Sequence, residues 1–168
     1  MPVMADEIRD PVSRVRYAFT PDGDNLHVEC WMEPGGALPP HLHPRQTETW
    51  SVVEGEVRFR LGADERVVTP ADGDLLVPPG AVHGLKSTGG AEARLRCHVV
   101  PALDLQAFLE ESAAAAREGL FTARGLPHGL RGARWAARFL KRHRAETVML
   151  SPPPVLQRAL IALLARGD

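Results

Sequence analysis

The stretch GGALPPHLHPRQTETWSVVEG, residues 35–55, determines what fold and chemistry this chain can have. His41 and His43 are two residues apart, so on an extended strand both imidazoles point to the same face. Glu48 begins the next apolar run, from which its carboxylate can turn inward. The stretch therefore predicts a histidine pair and a carboxylate that can meet at one point.

A third histidine, His83, follows a turn of the sequence Pro78-Pro79-Gly80. The proline rings restrict the backbone there and limit how far the imidazole can move. Three neutral imidazoles and one carboxylate suit a divalent transition metal, and iron, manganese, nickel, copper and zinc all stay open. Four such ligands leave two octahedral positions for water, dioxygen or substrate, whereas structural metal sites are closed. The expected metal ligands are His41, His43, Glu48 and His83.

Short segments of alternating polar and apolar residues surround these motifs. Residues 26–33 alternate before Pro34-Gly35-Gly36, and residues 57–61 alternate up to Gly62. About eight such strands fit between residues 14 and 101, a number that suits a sandwich or a small closed barrel. The sequence predicts a mostly β architecture for this region.

The spacing of the site residues resembles the cupin superfamily. The first cupin motif is Gly, five residues, His-x-His, three or four residues, Glu, six residues and Gly, and its fixed positions are occupied here by Gly35, His41, His43, Glu48 and Gly55. The second motif has Gly73-Asp74, Pro78, Gly80 and His83. It has one residue fewer than usual between Gly73 and Pro78, and Ser87 stands where asparagine is common.

This resemblance covers about residues 14–101 and implies a small antiparallel β-barrel, a double-stranded β-helix or jelly roll, with a metal in its mouth. It also implies a metal-dependent oxygenase of the dioxygenase type acting on a small organic molecule. Isomerases, decarboxylases and lyases share the fold, which does not choose between them. The alternative is a non-catalytic cupin that binds or senses a small ligand. No catalytic residue is marked beyond the metal ligands.

Four further side chains are candidates for the wall of a substrate pocket: Trp31, Trp50, Arg96 and His98. Each also has a simpler explanation. A tryptophan in a β-barrel is more often part of the packing. Arg96 and His98 share one face of the last strand with Arg94, and that face lies either in the barrel mouth or in water.

After Pro101 the spacing of apolar residues becomes helical, over residues 103–118, 130–144 and 155–164. The chain is thus divided into an N-terminal segment (1–13), a β-barrel (14–101) and a C-terminal helical extension (102–168). The second helix has a basic side and an apolar side, which suits packing on the barrel or on another subunit, or contact with an anionic membrane surface. The last helix is apolar nearly all round, so we expect a homodimer that covers it.

Composition excludes several classes of function. A chain of 168 residues has room for one core with an appendage. Its net charge of −1 removes the whole-chain electrostatic argument for nucleic-acid binding, so we expect no nucleic-acid partner. Cys30 and Cys97 lack a CxxC spacing and are expected to be small buried side chains without a disulfide. Residues 1–11 are acidic and lack the apolar core of a secretory signal, so we expect a cytoplasmic protein.

Overall fold

The computed structural model describes residues 7–165, which form eleven β-strands and three α-helices. The strands are β1 (Ile8–Asp10), β2 (Val15–Asp22), β3 (Asn25–Met32), β4 (Ala37–Leu42), β5 (Thr47–Glu54), β6 (Val57–Leu61), β7 (Asp64–Val68), β8 (Leu75–Val77), β9 (His83–Ser87), β10 (Ala93–Val100) and β11 (Val148–Met149). The helices are α1 (Leu105–Arg117), α2 (Gly129–His143) and α3 (Pro154–Leu164).

Within these residues the strands build two antiparallel sheets that face each other. The six-stranded sheet has the order β1-β2-β3-β10-β5-β8, and the five-stranded sheet has the order β11-β4-β9-β6-β7. The chain passes from one sheet to the other between β3 and β4, β4 and β5, and β5 and β6. Such crossing between two sheets is typical of a jelly roll, so the predicted mostly β fold with C-terminal helices is confirmed.

The core lies between the two sheets because alternate side chains of each strand point inward. On β3, the inward series includes Val28, Cys30 and Met32, all almost fully buried. Cys97 on β10 is buried in the same core, and both cysteines are free thiols. Burial raises the pKa of both thiols, which keeps them protonated and unreactive.

Two strands come from outside the region predicted as the barrel. β1 lies within the N-terminal segment 1–13, of which residues 1–6 lie outside the described residues, and pairs with β2. β11 belongs to the C-terminal extension and pairs with β4, which places Met149 opposite His41. The extension therefore adds a strand to the sheet that carries two of the predicted metal ligands.

The helices of the extension pack on each other through aromatic side chains. The Phe108 ring on α1 lies 4.8 Å from the Phe139 ring on α2, and Trp135 stacks on Phe139 at 4.6 Å. On the basic side of α2, Arg142 pairs with Glu111 and Arg131 with Glu118. The apolar side of α2 is thus covered within the chain, and its basic side faces acidic residues of the α1 region.

The α3 helix keeps much of its apolar surface in water. Val155 is 77% exposed and Leu163 is 69% exposed. Nothing between residues 7 and 165 covers these two side chains. No helix in this part of the chain has the length and hydropathy needed to cross a membrane.

Candidate metal centre

The three predicted histidine ligands come together at one end of the five-stranded sheet. His41 lies on β4 directly opposite His83 on β9, and His43 follows β4 in the chain. The ring of His41 is 4.3 Å from that of His83 and 5.0 Å from that of His43. One ring nitrogen from each of the three lies within 4.8 Å of the others. This triad can hold a metal ion.

Backbone carbonyls orient all three rings. Nδ1 of His41 donates to the carbonyl oxygen of Pro39 (2.8 Å), and Nδ1 of His83 donates to that of Ala81 (3.1 Å). Nδ1 of His43 donates to the carbonyl oxygen of Glu146 (2.9 Å). A carbonyl oxygen only accepts, so each Nδ1 carries the proton. Every neutral ring therefore keeps its Nε2 lone pair for a metal ion.

The carboxylate of Glu48 on β5 lies beside two of these Nε2 atoms. Its Oε1 is 3.1 Å from Nε2 of His43, and its Oε2 is 2.8 Å from Nε2 of His83. The indole Nε1 of Trp50 donates to the same Oε2 at 2.8 Å. Among the described residues, the buried Nε2 of His83 makes no well-directed hydrogen bond. A metal ion would satisfy this atom, and the donor set of imidazoles and carboxylate fits a transition metal.

The charges at the site also suit a cation. Burial would raise the pKa of Glu48, but the adjacent His43 and His83 rings outweigh burial and lower it well below its usual value. Burial and the neighbouring His83 and His43 rings lower the pKa of His41 to about 3, so His41 is neutral at neutral pH. Burial lowers the pKa of His43, but Glu48 outweighs it and raises the pKa overall. A metal ion here would replace a proton shared between His43 and Glu48.

A β-bulge aligns His41 with His83. Leu38 pairs with Leu85 and His41 pairs with His83, so β4 contains one more residue than β9 between these pairs. The extra residue falls at the two prolines 39 and 40, which lack the N–H that a regular ladder uses. A glycine at the neighbouring position 84 gives this bulge room, because a Cβ there would lie in tight contact, 3.0 Å from the Leu38 carbonyl oxygen.

A cavity of about 470 Å³ opens beside His41, His43 and Glu48. The barrel side of its wall includes Tyr17, Val28, Trp50 and Val99. The other side comes from the extension, with Leu105, Phe108 and Leu109 of α1, Phe139 and Leu140 of α2, and Met149 of β11. Trp50, predicted as a pocket residue, lines this cavity and is 5% exposed.

The other three predicted pocket residues lie elsewhere. Trp31, Arg96 and His98 are on the outer face of the six-stranded sheet, outside the cavity beside the triad, and Arg96 and His98 line a separate pocket on that face. Arg96 Nε donates to Glu29 at 2.6 Å, and the guanidinium of Arg16 lies 5.1 Å from the Trp31 ring. Alternation along β3 and β10 placed these residues on one face correctly but did not say which face was the inner one.

His98 on this outer face stacks on His27 at 4.3 Å, with an angle of 11° between the rings. Together with Asp22, these rings offer ligand atoms within 4.8 Å of one another. An ion binds an imidazole in the plane of the ring, however, and one ion cannot lie in both of two parallel stacked planes. The geometry of this second cluster is therefore less suited to binding one metal ion than that of the triad.

Sequence reasoning missed the role of residues 146 and 147. Besides the Glu146 carbonyl, the Thr147 hydroxyl lies 3.3 Å from Nδ1 of His43, and Arg45 binds the Glu146 carboxylate at 3.2 Å. Both extension residues are buried. They lie more than 100 positions from His43, and the main contact is a backbone carbonyl that every residue type possesses. No sequence signal pointed to it.

Two facing antiparallel sheets that carry a histidine triad are the arrangement expected of a cupin fold. Residues 28–100 match the family described as Cupin domain (Cupin_2), so the chain carries a cupin domain of this family followed by C-terminal helices.

Curated and solved relatives agree with this assignment. The chain is 37% identical over 67 residues to a protein named oxidoreductase from Arthrobotrys oligospora, covering 39% of this chain and 26% of that one. It is 44% identical over 68 residues to Germin-like protein 5-1 of Oryza sativa subsp. japonica, covering 37% and 30%. The match thus spans less than a third of the length of either relative. A solved RmlC-like cupin from Shewanella frigidimarina superposes with a TM-score of 0.53 at 25% identity, over 60% of this chain and 87% of that chain.

Proposed function

We propose that this cupin is a metal-dependent enzyme of the oxygenase type that acts on a small organic molecule. Its metal ligands are His41, His43, Glu48 and His83. The observation that carries the proposal is a set of three Nδ1-protonated rings beside a cavity of about 470 Å³, with the Glu48 carboxylate next to Nε2 of two of them, His43 and His83. The similarity to a protein named oxidoreductase supports the same direction.

Different residues of the chain orient the metal ligands and form the wall of the cavity. A bound transition metal with two open positions would bring a substrate and dioxygen side by side. Carbonyls of Pro39, Ala81 and Glu146 hold the three rings so that little reorganisation is needed when the ion binds. Trp50 holds the carboxylate of Glu48 through one hydrogen bond. The largely apolar wall lowers the polarity of the space beside the ligands, which strengthens electrostatic interactions there.

The first experiment is elemental analysis of the full chain purified without added metal. We expect near-stoichiometric iron, manganese, nickel, copper or zinc, lost in His43→Ala and kept in His128→Ala, whose histidine is exposed and does not belong to the triad. A site that stays empty after each of these metals is offered would refute the proposal that this chain is a metalloenzyme.

Turnover separates the enzyme from a non-catalytic module that binds or senses a small ligand, for which this cavity is equally suited. An oxygenase consumes dioxygen in proportion to its metal occupancy when given candidate substrates. A sensing module binds its ligand to saturation without consuming dioxygen or changing the ligand. An oxygen electrode and mass spectrometry of the ligand distinguish the two.

We also propose that two copies of the chain associate through α3. Val155, Leu156 and Leu163 present exposed apolar side chains on this short helix. A self-complementary contact between two copies would remove them from water, as two-fold symmetric interfaces commonly do.

A further inference from the structure

The cavity beside the metal centre has two walls of different origin. The family match ends at residue 100, and the barrel wall before that point carries the metal ligands. The opposite wall consists of residues 105–152, which lie beyond the family match. These residues are therefore a part of the site that belongs to this chain rather than to the cupin domain.

The wall from the extension is largely apolar, although Ser112, Thr147 and Ser151 add hydroxyl groups to it. Leu105, Phe108 and Leu109 present one face of α1, and Leu140 of α2 stands beside them. Phe108 is held against Phe139, so this surface is packed and not a loose flap. A ligand body in the cavity would meet hydrocarbon and aromatic surface on this side.

The cavity offers little to an anionic group except at the metal. Among residues 7–165, Arg124 is the one arginine or lysine in its lining, and that side chain is exposed. The Asp10 carboxylate, also in the lining, already accepts from the backbone N–H groups of Val12 (2.8 Å) and Ser13 (3.2 Å). A phosphate or a second carboxylate placed deep in the cavity would lose its hydration without gaining a buried cationic partner.

We propose that the C-terminal extension is the substrate-selecting wall, and that it selects an uncharged, largely apolar molecule with one oxygen atom for the metal. The part of this inference that concerns the oxygen atom on the metal rests on the proposed function, whereas the part that concerns the apolar body of the ligand rests on the wall alone. The volume of about 470 Å³ falls in the range of pockets that enclose a whole small molecule. A molecule the size of a two-ring aromatic alcohol matches both the volume and the chemistry.

The test compares three probes on the full chain loaded with Zn²⁺: 1-naphthol, oxalate and glucose 6-phosphate. Titration calorimetry measures binding, and quenching of tryptophan fluorescence reports occupancy, since Trp50 lines the cavity. We expect 1-naphthol to bind at least tenfold more tightly than either anion. Equal affinities, or tighter binding of an anion, would overturn the proposal.

A pair of variants locates the binding to the wall. Ser112 of α1 lines the cavity, so Ser112→Phe fills space without breaking the barrel. Glu110→Phe adds the same ring to an exposed position of the same helix. We expect Ser112→Phe to weaken the binding of 1-naphthol at least tenfold and to leave the zinc content unchanged. Glu110→Phe should change neither the binding of 1-naphthol nor the zinc content. If Ser112→Phe does not fold, Ser112→Leu takes its place with a smaller loss expected in the same direction.

The two proposals fail in different ways. If the triad binds no metal, the proposed function fails, and 1-naphthol binding to the metal-free chain still reports on the wall. If zinc binds normally but 1-naphthol does not, or binds Ser112→Phe as well as the original chain, the substrate-selecting wall is wrong and the metal centre stands.

Discussion

Replacing Trp50 by phenylalanine tests whether the carboxylate of Glu48 depends on its one indole donor. Trp50 is 5% exposed, and its Nε1–H donates to Glu48 Oε2 at 2.8 Å. Phenylalanine keeps an aromatic ring in the cavity wall but cannot donate. The perturbation therefore removes one charge-assisted hydrogen bond and leaves the surrounding packing nearly intact.

The expected cost follows from the burial of that bond. A buried hydrogen bond to a charged group contributes about 1.5–3 kcal/mol, so we expect Trp50→Phe to lower the free energy of unfolding of the metal-free chain by that amount. Metal affinity should fall as well, by about 10–100-fold, because groups that hold a metal ligand in place commonly contribute this much.

Trp31→Phe is the matched control, since Trp31 lies on the outer face of the same sheet. Its ring contacts the guanidinium groups of Arg16 and Arg94 at 5.1 and 5.8 Å. Exposed cation–π contacts contribute about 0.5–1 kcal/mol, and phenylalanine retains part of that. We expect Trp31→Phe to cost less than about 1 kcal/mol and to leave metal affinity unchanged.

The assay is urea unfolding of each metal-free variant followed by far-ultraviolet circular dichroism, with a competitive zinc titration on the folded proteins. A shift of the midpoint at an unchanged slope reports stability alone. If the two variants lose the same stability and bind zinc equally well, the role given to Trp50 is wrong.

Three further outcomes are expected. Gly84→Ala should lower the free energy of unfolding by about 1–3 kcal/mol in thermal melts, because its Cβ would lie 3.0 Å from the Leu38 carbonyl oxygen. Gly90→Ala is the control and should cause no such loss, because the space around Gly90 is open. Equal losses of stability in the two variants would contradict the close contact at Gly84. Burial would raise the pKa of Glu29, but Arg96 and Arg94 outweigh burial and lower it. The ion pairs therefore stabilise the folded chain at pH values above the pKa that Glu29 has when unfolded. This stabilisation is lost as the pH falls through the lower pKa of the folded state. The original chain should therefore exceed Glu29→Gln by about 0.5–1 kcal/mol at pH 7 and lose that advantage in acid, as urea midpoints measured from pH 7 down to 3 would show; a constant difference would count against it. Sedimentation velocity at micromolar concentration should give a dimer for the original chain and a monomer for Leu163→Glu, and a monomeric original chain would exclude the α3 contact.

Much of the barrel and the metal set could be predicted because the signals are short-range. His41 and His43 are two residues apart, and Glu48 and His83 stand at fixed spacings from turn glycines, so the donors are recognisable locally, although the fold of the two sheets is what brings them together. The predicted helices also agree with α1, α2 and α3 to within two residues at each end, because the spacing of their apolar residues is helical and proline or glycine lies near their ends.

The orientation of the outer face could not be predicted in the same way. Period-2 alternation groups Arg94, Arg96 and His98 together, and it does so whether the face looks inward or outward. The decision comes from cross-strand partners: Arg96 lies opposite Glu29, and His98 lies opposite His27, so each pair satisfies its polar groups on the outside. The bulge at the two prolines of β4 was invisible for a similar reason, since its effect appears only in the register with β9.

The extension connects the selecting wall to the metal ligands. The segment between α2 and α3 supplies Met149 to the cavity wall and, three residues earlier, the Glu146 carbonyl that accepts from His43. Pairing of Met149 with His41 holds this segment in place on β4. Because one short strand serves both purposes, a change in the extension that reshapes the cavity by moving this strand must also alter the support of His43. Variants on α1, such as Ser112→Phe, avoid this coupling because that helix faces the cavity from another side, which is why substrate selection and metal binding can be separated there.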